Sequence, residues 1–154
     1  MNELERVREY LKLKNPQLKI IEFDVDTSTA YLAAKALDKE VGQIAKSILF
    51  KTKDDRFLMV VSAGDVKLDS KAVKELAGAR VRMANPDEVL ARTGFKVGGV
   101  CPFALATEMD IYLDESLKRY DVVYAAAGTA NTALPITFEE LRKITGGTPC
   151  QVSA

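Results

Sequence analysis

Ile44-Ala45-Lys46-Ser47-Ile48-Leu49-Phe50-Lys51-Thr52, Lys53-Asp54-Asp55-Arg56, Phe57-Leu58-Met59-Val60-Val61-Ser62-Ala63 is the stretch on which the fold turns. Residues 45–52 and 57–63 are strongly apolar, and the tetrapeptide between them is fully charged. That pattern predicts a β-hairpin. Phe57–Val61 is apolar at every position, so its strand is expected to be central and covered on both faces. Alternation along the first strand puts Lys46 on the same side as Ile44, Ile48 and Phe50.

Working outward, Leu4, Val7 and Leu11 recur at helical spacing and predict a helix over about residues 3–13, stopped by Asn15-Pro16. Ile20–Phe23 reads as a short strand. Thr27-Ser28 is expected to cap a helix over Thr29–Leu37, and Val41–Ile44 to turn into the hairpin. After the hairpin, Asp69-Ser70 opens a helix that Gly78 ends. A short strand lies at Val81. Asn85-Pro86-Asp87-Glu88 starts another helix, with a cap residue, proline at the first position and acids in the first turn. Strands are expected at Ile111–Leu113, Val122–Ala125 and Ala133–Ile136. Thr137-Phe138-Glu139-Glu140 is a capping box for a last helix, closed by Gly146-Gly147. Irregular interleaving of strands and helices predicts a mixed α/β (α+β) domain: a largely antiparallel sheet flanked by helices.

No repeat or linker interrupts residues 1–154, which read as a single domain. Lys+Arg and Asp+Glu are 22 each, so the net charge is zero, and there is no histidine. The missing histidine excludes Ser-His-Asp and Cys-His catalysis, histidine zinc sites and an imidazole base. Zero charge argues against coating nucleic acid through bulk electrostatics. The charge is nonetheless uneven: +4 over residues 35–82, −3 over 83–154 and −1 over 1–34. The basic middle can face a polyanion or be a solvated surface. Two cysteines make neither a disulfide framework nor a thiolate metal site. The charged start, Met1–Arg6, is unlike a secretory signal, and no apolar run approaches about 18 residues. A cytoplasmic protein away from membranes is expected, with no metal and no cofactor.

Three places can carry chemistry. Lys46 either snorkels past the sheet edge or points its ammonium into a pocket, where it suits a phosphate, a carbonyl or an anionic transition state. In Val97-Gly98-Gly99-Val100-Cys101-Pro102-Phe103, paired glycines allow close approach of a ligand, and the N–H groups of Gly98–Cys101 can cradle one oxygen. The spacing is neither a Walker loop nor a dinucleotide fingerprint. Ala125–Thr132 is a small-residue strand end opening into a polar turn, where Asn131 offers an amide. Asp65 ends the central strand, either against a ligand or in a plain turn. Cys101 can be read as a nucleophile, but no histidine activates it, and a small apolar lining residue is the preferred reading.

Together these pieces resemble the YbaK/prolyl-tRNA synthetase-associated family of aminoacyl-tRNA editing domains. The resemblance runs from about Thr27 to Gly146. It rests on the order of Ile44-Ala45-Lys46-Ser47-Ile48, Ser62-Ala63-Gly64-Asp65, Arg92-Thr93-Gly94, the GXXXP loop Gly98–Pro102 and Ala127-Gly128. It implies a free-standing, trans-editing deacylase that hydrolyses the ester of mischarged tRNA. The expected substrate is tRNA(Pro) carrying Ala, Cys, Ser or Thr. The family's strand lysine falls on Lys46 as the catalytic residue, and its substrate loop on Gly98, Gly99, Val100, Cys101 and Pro102. Ser47, Asp65, Gly128 and Asn131 are the further expected substrate contacts. Some members use a histidine in the later loop; Asn131 occupies that region here. The implied partners are the acceptor end of aminoacylated tRNA and prolyl-tRNA synthetase. The alternatives are a non-catalytic tRNA- or synthetase-binding module and a thiol hydrolase built on Cys101.

Overall fold

A computed structural model describes all residues, 1–154. The predicted hairpin is present as β2 (Ile44–Thr52) and β3 (Phe57–Ala63), paired antiparallel from Ala45↔Ala63 to Lys51↔Phe57. The remaining strands are β1 (Ile21–Glu22), β4 (Val81–Met83), β5 (Asp110–Asp114), β6 (Val123–Ala125), β7 (Thr132–Ile136) and β8 (Thr148–Cys150). They form one sheet in the order β1-β7-β6-β2-β3-β5-β8, with β4 also on β2. Four pairings are antiparallel and three, β2·β6, β3·β5 and β5·β8, are parallel. The helices are α1 (Glu3–Lys14), α2 (Ala30–Leu37), α3 (Ser70–Ala77), α4 (Pro86–Thr93) and α5 (Phe138–Thr145). This is the mixed α/β single domain that the sequence predicts.

β3 is central, as its composition requires. Met59 and Val61 enter a core on one face with Phe95, Phe103, Leu113 and the α1 residues Val7 and Leu11. Leu58 and Val60 enter a second core on the other face, with Phe50, the α3 residues Val73 and Ala77, and Val152. Ile44 packs separately under Ala33 and Ala34 of α2. Thus α2 and α3 cover the face that carries Lys46.

Two expectations change. The cap of α2 is Thr29, whose hydroxyl accepts the Leu32 N–H at 3.1 Å, and not Thr27-Ser28. Thr27 is instead stitched to the turn after β6, its N–H and hydroxyl both donating to the Ala130 carbonyl (2.7 and 3.1 Å). The sequence reading also lacked β8 and the short 3-10 helix Glu115–Arg119. β8 is an edge strand with Pro149 at its centre, where proline is tolerated because one side of the strand is unpaired.

One topological detail positions the site. β3 takes one edge of β2, and two strands share the other. β6 pairs only with Ile44 and Ala45, while β4 pairs from Phe50 to Thr52. Between them β2 has no neighbour, and the sheet is notched. No helix is long and apolar enough to cross a membrane.

Candidate active site

The notch opens into a cavity of about 420 Å³. Its β2 wall is Ile44–Leu49, which includes Lys46 and Ser47. Facing it are Val97, Gly98 and Val100 from the glycine loop, Val89 from α4, and Thr27–Ala30 leading into α2. Tyr124–Ala126, Thr132 and Ala133 close the end where β6 leaves β2. The lining is mostly apolar and small, holds no carboxylate, and has Lys46 as its one charged side chain. A larger space of about 830 Å³ lies elsewhere, around Arg56, Arg92 and Tyr112; of the expected site residues it touches Pro102 alone.

Lys46 has an exposed side chain that enters none of the ion pairs of the fold. Its partner across the hairpin is Ser62, whose buried hydroxyl has no hydrogen-bond partner. Strand alternation put Lys46 on an apolar side, and the structure supplies the reason it is not covered there. α2 packs over Ile44 and α3 over Phe50, so the ammonium emerges between two helices.

The glycine loop is pinned in place by close contacts. Gly98 has φ +97°, a left-handed value that favours glycine. A β-carbon on Gly98 would stand 2.9 Å from the Ser28 β-carbon. The Gly99 N–H is committed to the Lys96 carbonyl at 3.0 Å, so not all loop N–H groups are free. The N–H groups of Gly98 and Val100 have no acceptor within the protein, and both residues line the cavity. Cys101 and Pro102 are buried behind this wall. Burial pushes the Cys101 thiol up to about 12, and the thiol donates toward the Phe103 carbonyl at 3.7 Å. Such a thiol is protonated at neutral pH and is no nucleophile.

The other expected contacts lie behind or beside the cavity rather than on its wall. Asp65 is held by Arg119 in a two-pronged pair of 2.5 and 3.1 Å, which draws its carboxyl below the ordinary range. Gly128, at φ +99°, backs the glycine loop and abuts α1. Asn131 donates from Nδ2 to the Phe23 carbonyl at 3.2 Å and accepts from the Thr129 hydroxyl at 2.9 Å, clamping the turn to β1. The sequence reading missed the Thr27-Ser28 wall. Its signal was a run of three hydroxyl residues, Thr27-Ser28-Thr29, where one suffices for a cap.

Comparison with known proteins gives a consistent picture. A family model described as "Aminoacyl-tRNA editing domain" matches residues 24–144. The protein YwhH of Bacillus subtilis (strain 168) is 39% identical over 138 residues, covering 90% of this chain and 88% of YwhH. The proline–tRNA ligase of Bacillus pumilus (strain SAFR-032) is 34% identical over 125 residues, which span 80% of this chain but only 20% of the ligase. A crystal structure described as "a putative trans-editing enzyme for prolyl tRNA synthetase" superposes with TM-score 0.93 and 35% identity, covering 100% of this chain and 98% of the other.

Proposed function

The chain belongs to the aminoacyl-tRNA editing domain family, and from that premise we propose that it is a trans-acting deacylase. Its substrate would be tRNA(Pro) mischarged with a small amino acid: Ala, Cys, Ser or Thr. The observation that carries this reading is the cavity itself, a small, mostly apolar space lined by Lys46 of β2 together with Gly98 and Val100 of the glycine loop. In the reaction, water attacks the ester carbonyl carbon and negative charge collects on the carbonyl oxygen. The bond to the ribose oxygen then breaks, and the ribose leaves as an alcohol with a proton from solvent.

The chain has no histidine and no acidic thiol at the site, so the rate must come from charge stabilisation and orientation. Lys46 is the catalytic residue, neutralising the developing oxyanion or the phosphate next to the terminal ribose. The Gly98 and Val100 N–H groups hold the carbonyl or the water, and Ser47 lines the substrate pocket. Gly99, Cys101 and Pro102 shape the loop. Asp65, Gly128 and Asn131 support the walls. A pocket of small side chains selects by size, and one methylene is worth about 1–3 kcal/mol in such a pocket.

The test is a deacylation panel of tRNA(Pro) charged with each of the four amino acids. At least one is expected to lose its amino acid far faster than spontaneously, and Lys46→Ala to slow it about 10²–10³-fold while the melting temperature holds. Binding of charged tRNA with no hydrolysis of any would overturn the deacylase and leave a binding module.

A further inference from the structure

The notch in the sheet exposes main chain that an ordinary strand would hide. Along β2, Leu49 accepts from Ala84 N–H at 2.9 Å and Lys53 donates to Arg80 at 2.8 Å, so odd-numbered residues direct their N–H and C=O toward the β4/β6 edge. Pairing with β6 ends at Ala45↔Ala125. The residue left between is Ser47. Its main-chain N–H and C=O face the notch without a strand to receive them, and it lines the cavity. Its hydroxyl is also unpartnered, buried among atoms that offer it nothing. Buried polar groups are ordinarily partnered, so groups left without a partner beside a cavity are available to a ligand.

The substrate supplies the complement. An aminoacyl ester carries an α-amino group, which needs acceptors when it leaves water. The cavity wall holds no carboxylate, and its one charged side chain, Lys46, is cationic. Alternation sends the Lys46 side chain to the opposite face of β2 from that of Ser47. Lys46 is a donor only and offers the amine nothing, whereas Ser47 beside it on the same wall has a carbonyl and a hydroxyl to accept from it. We propose that Ser47 receives the α-amino group of the bound aminoacyl ester, through its main-chain carbonyl and through its hydroxyl turned about χ1 toward the cavity. The inference rests on the deacylase reading for its substrate and adds which group of that substrate β2 holds. It makes the enzyme a reader of the amine as well as of side-chain size.

The test compares tRNA(Pro) carrying alanine with tRNA(Pro) carrying propanoate, which keeps the size and lacks the amine. Each rate is divided by its spontaneous rate. In parallel, the non-hydrolysable alanyl and propanoyl amides of 3′-amino-3′-deoxyadenosine are titrated by calorimetry. Wild type is expected to prefer the alanyl member at least tenfold in both measurements, and Ser47→Ala to cut that preference threefold or more, its effect falling on the alanyl values more than on the propanoyl ones. Equal handling of the two members by wild type, or a preference that Ser47→Ala leaves intact, overturns the inference. If hydrolysis is absent but the binding preference is present and falls in Ser47→Ala, the deacylase reading fails and the Ser47 assignment stands.

Discussion

A β-carbon added to Gly99 would stand 2.7 Å from the carbonyl oxygen of Gly128, so the glycine loop and the turn after β6 are in backbone-to-backbone contact. Neither side of that contact can swing aside as a flexible side chain would. Gly99→Ala is therefore expected to displace the loop and move the Gly98 and Val100 N–H groups from the cavity wall. A misplacement of about 1 Å can cost about 10²-fold in rate. Steady-state deacylation should show a loss of that order in kcat/KM, with the circular dichroism spectrum retained.

Arg6 holds the same loop from behind. Its guanidinium donates to Ala104 (3.2 Å) and Thr93 (3.1 Å) and lies 4.4 Å from the Phe95 ring centroid. Lysine keeps the charge but cannot reproduce a fork over a ring. Arg6→Lys should destabilise the protein by about 1–3 kcal/mol in urea unfolding, and lower deacylation through the loosened loop.

Cys101 is fully buried and its thiol is pushed up to about 12 by burial. Cys101→Ala should leave kcat/KM within twofold of wild type and cost about 1–2 kcal/mol in stability through lost packing. Iodoacetamide should leave wild-type activity intact. An inactive, folded Cys101→Ala would restore the thiol mechanism.

Asp65 and Arg119 form a half-exposed pair beside the site. Pairs of this exposure contribute up to about 1 kcal/mol. Asp65→Asn is expected to change unfolding free energy by no more than that and deacylation by less than threefold. A larger kinetic loss would bring the carboxylate back as a substrate contact.

Asp114 is fully buried at the end of β5. Burial pushes its carboxyl up, but hydrogen bonds from the Ser116 N–H (3.0 Å) and the Val152 N–H (2.8 Å) help outweigh it and leave the carboxyl below its ordinary value. A depressed carboxyl contributes stability that is complete above its unfolded value and lost as the pH falls through its folded one. Asp114→Asn should cost about 2–3 kcal/mol at pH 7, and the gap to wild type should narrow below about pH 4.

The elements around Lys46 were legible because each is signalled locally. The hairpin has two apolar runs around a charged turn, α4 has its Asn85-Pro86 start, and the loop has its glycines. What was not legible depends on partners far away in sequence. Asp65 could be read as a ligand contact or a turn residue, since Arg119 is 54 positions away. The standing of Ser47 was hidden more deeply. Its isolation follows from β4 and β6 both attaching to one edge of β2 and failing to meet, which is a property of topology and not of any tripeptide. β8 was lost because Pro149 argues against a strand except at a sheet edge.

Bare strand edges invite other chains to add themselves, which is how many sheets aggregate. The uncovered part of β2 escapes this hazard by its size and position. It runs only from Lys46 to Ile48, lies in the middle of the sheet, and is walled by α2 and the glycine loop. An incoming strand needs several consecutive residues of register and an open flank, and finds neither. A single small molecule needs only one residue's worth of main chain. The fold thus presents sticky backbone to metabolite-sized groups while denying it to polypeptides.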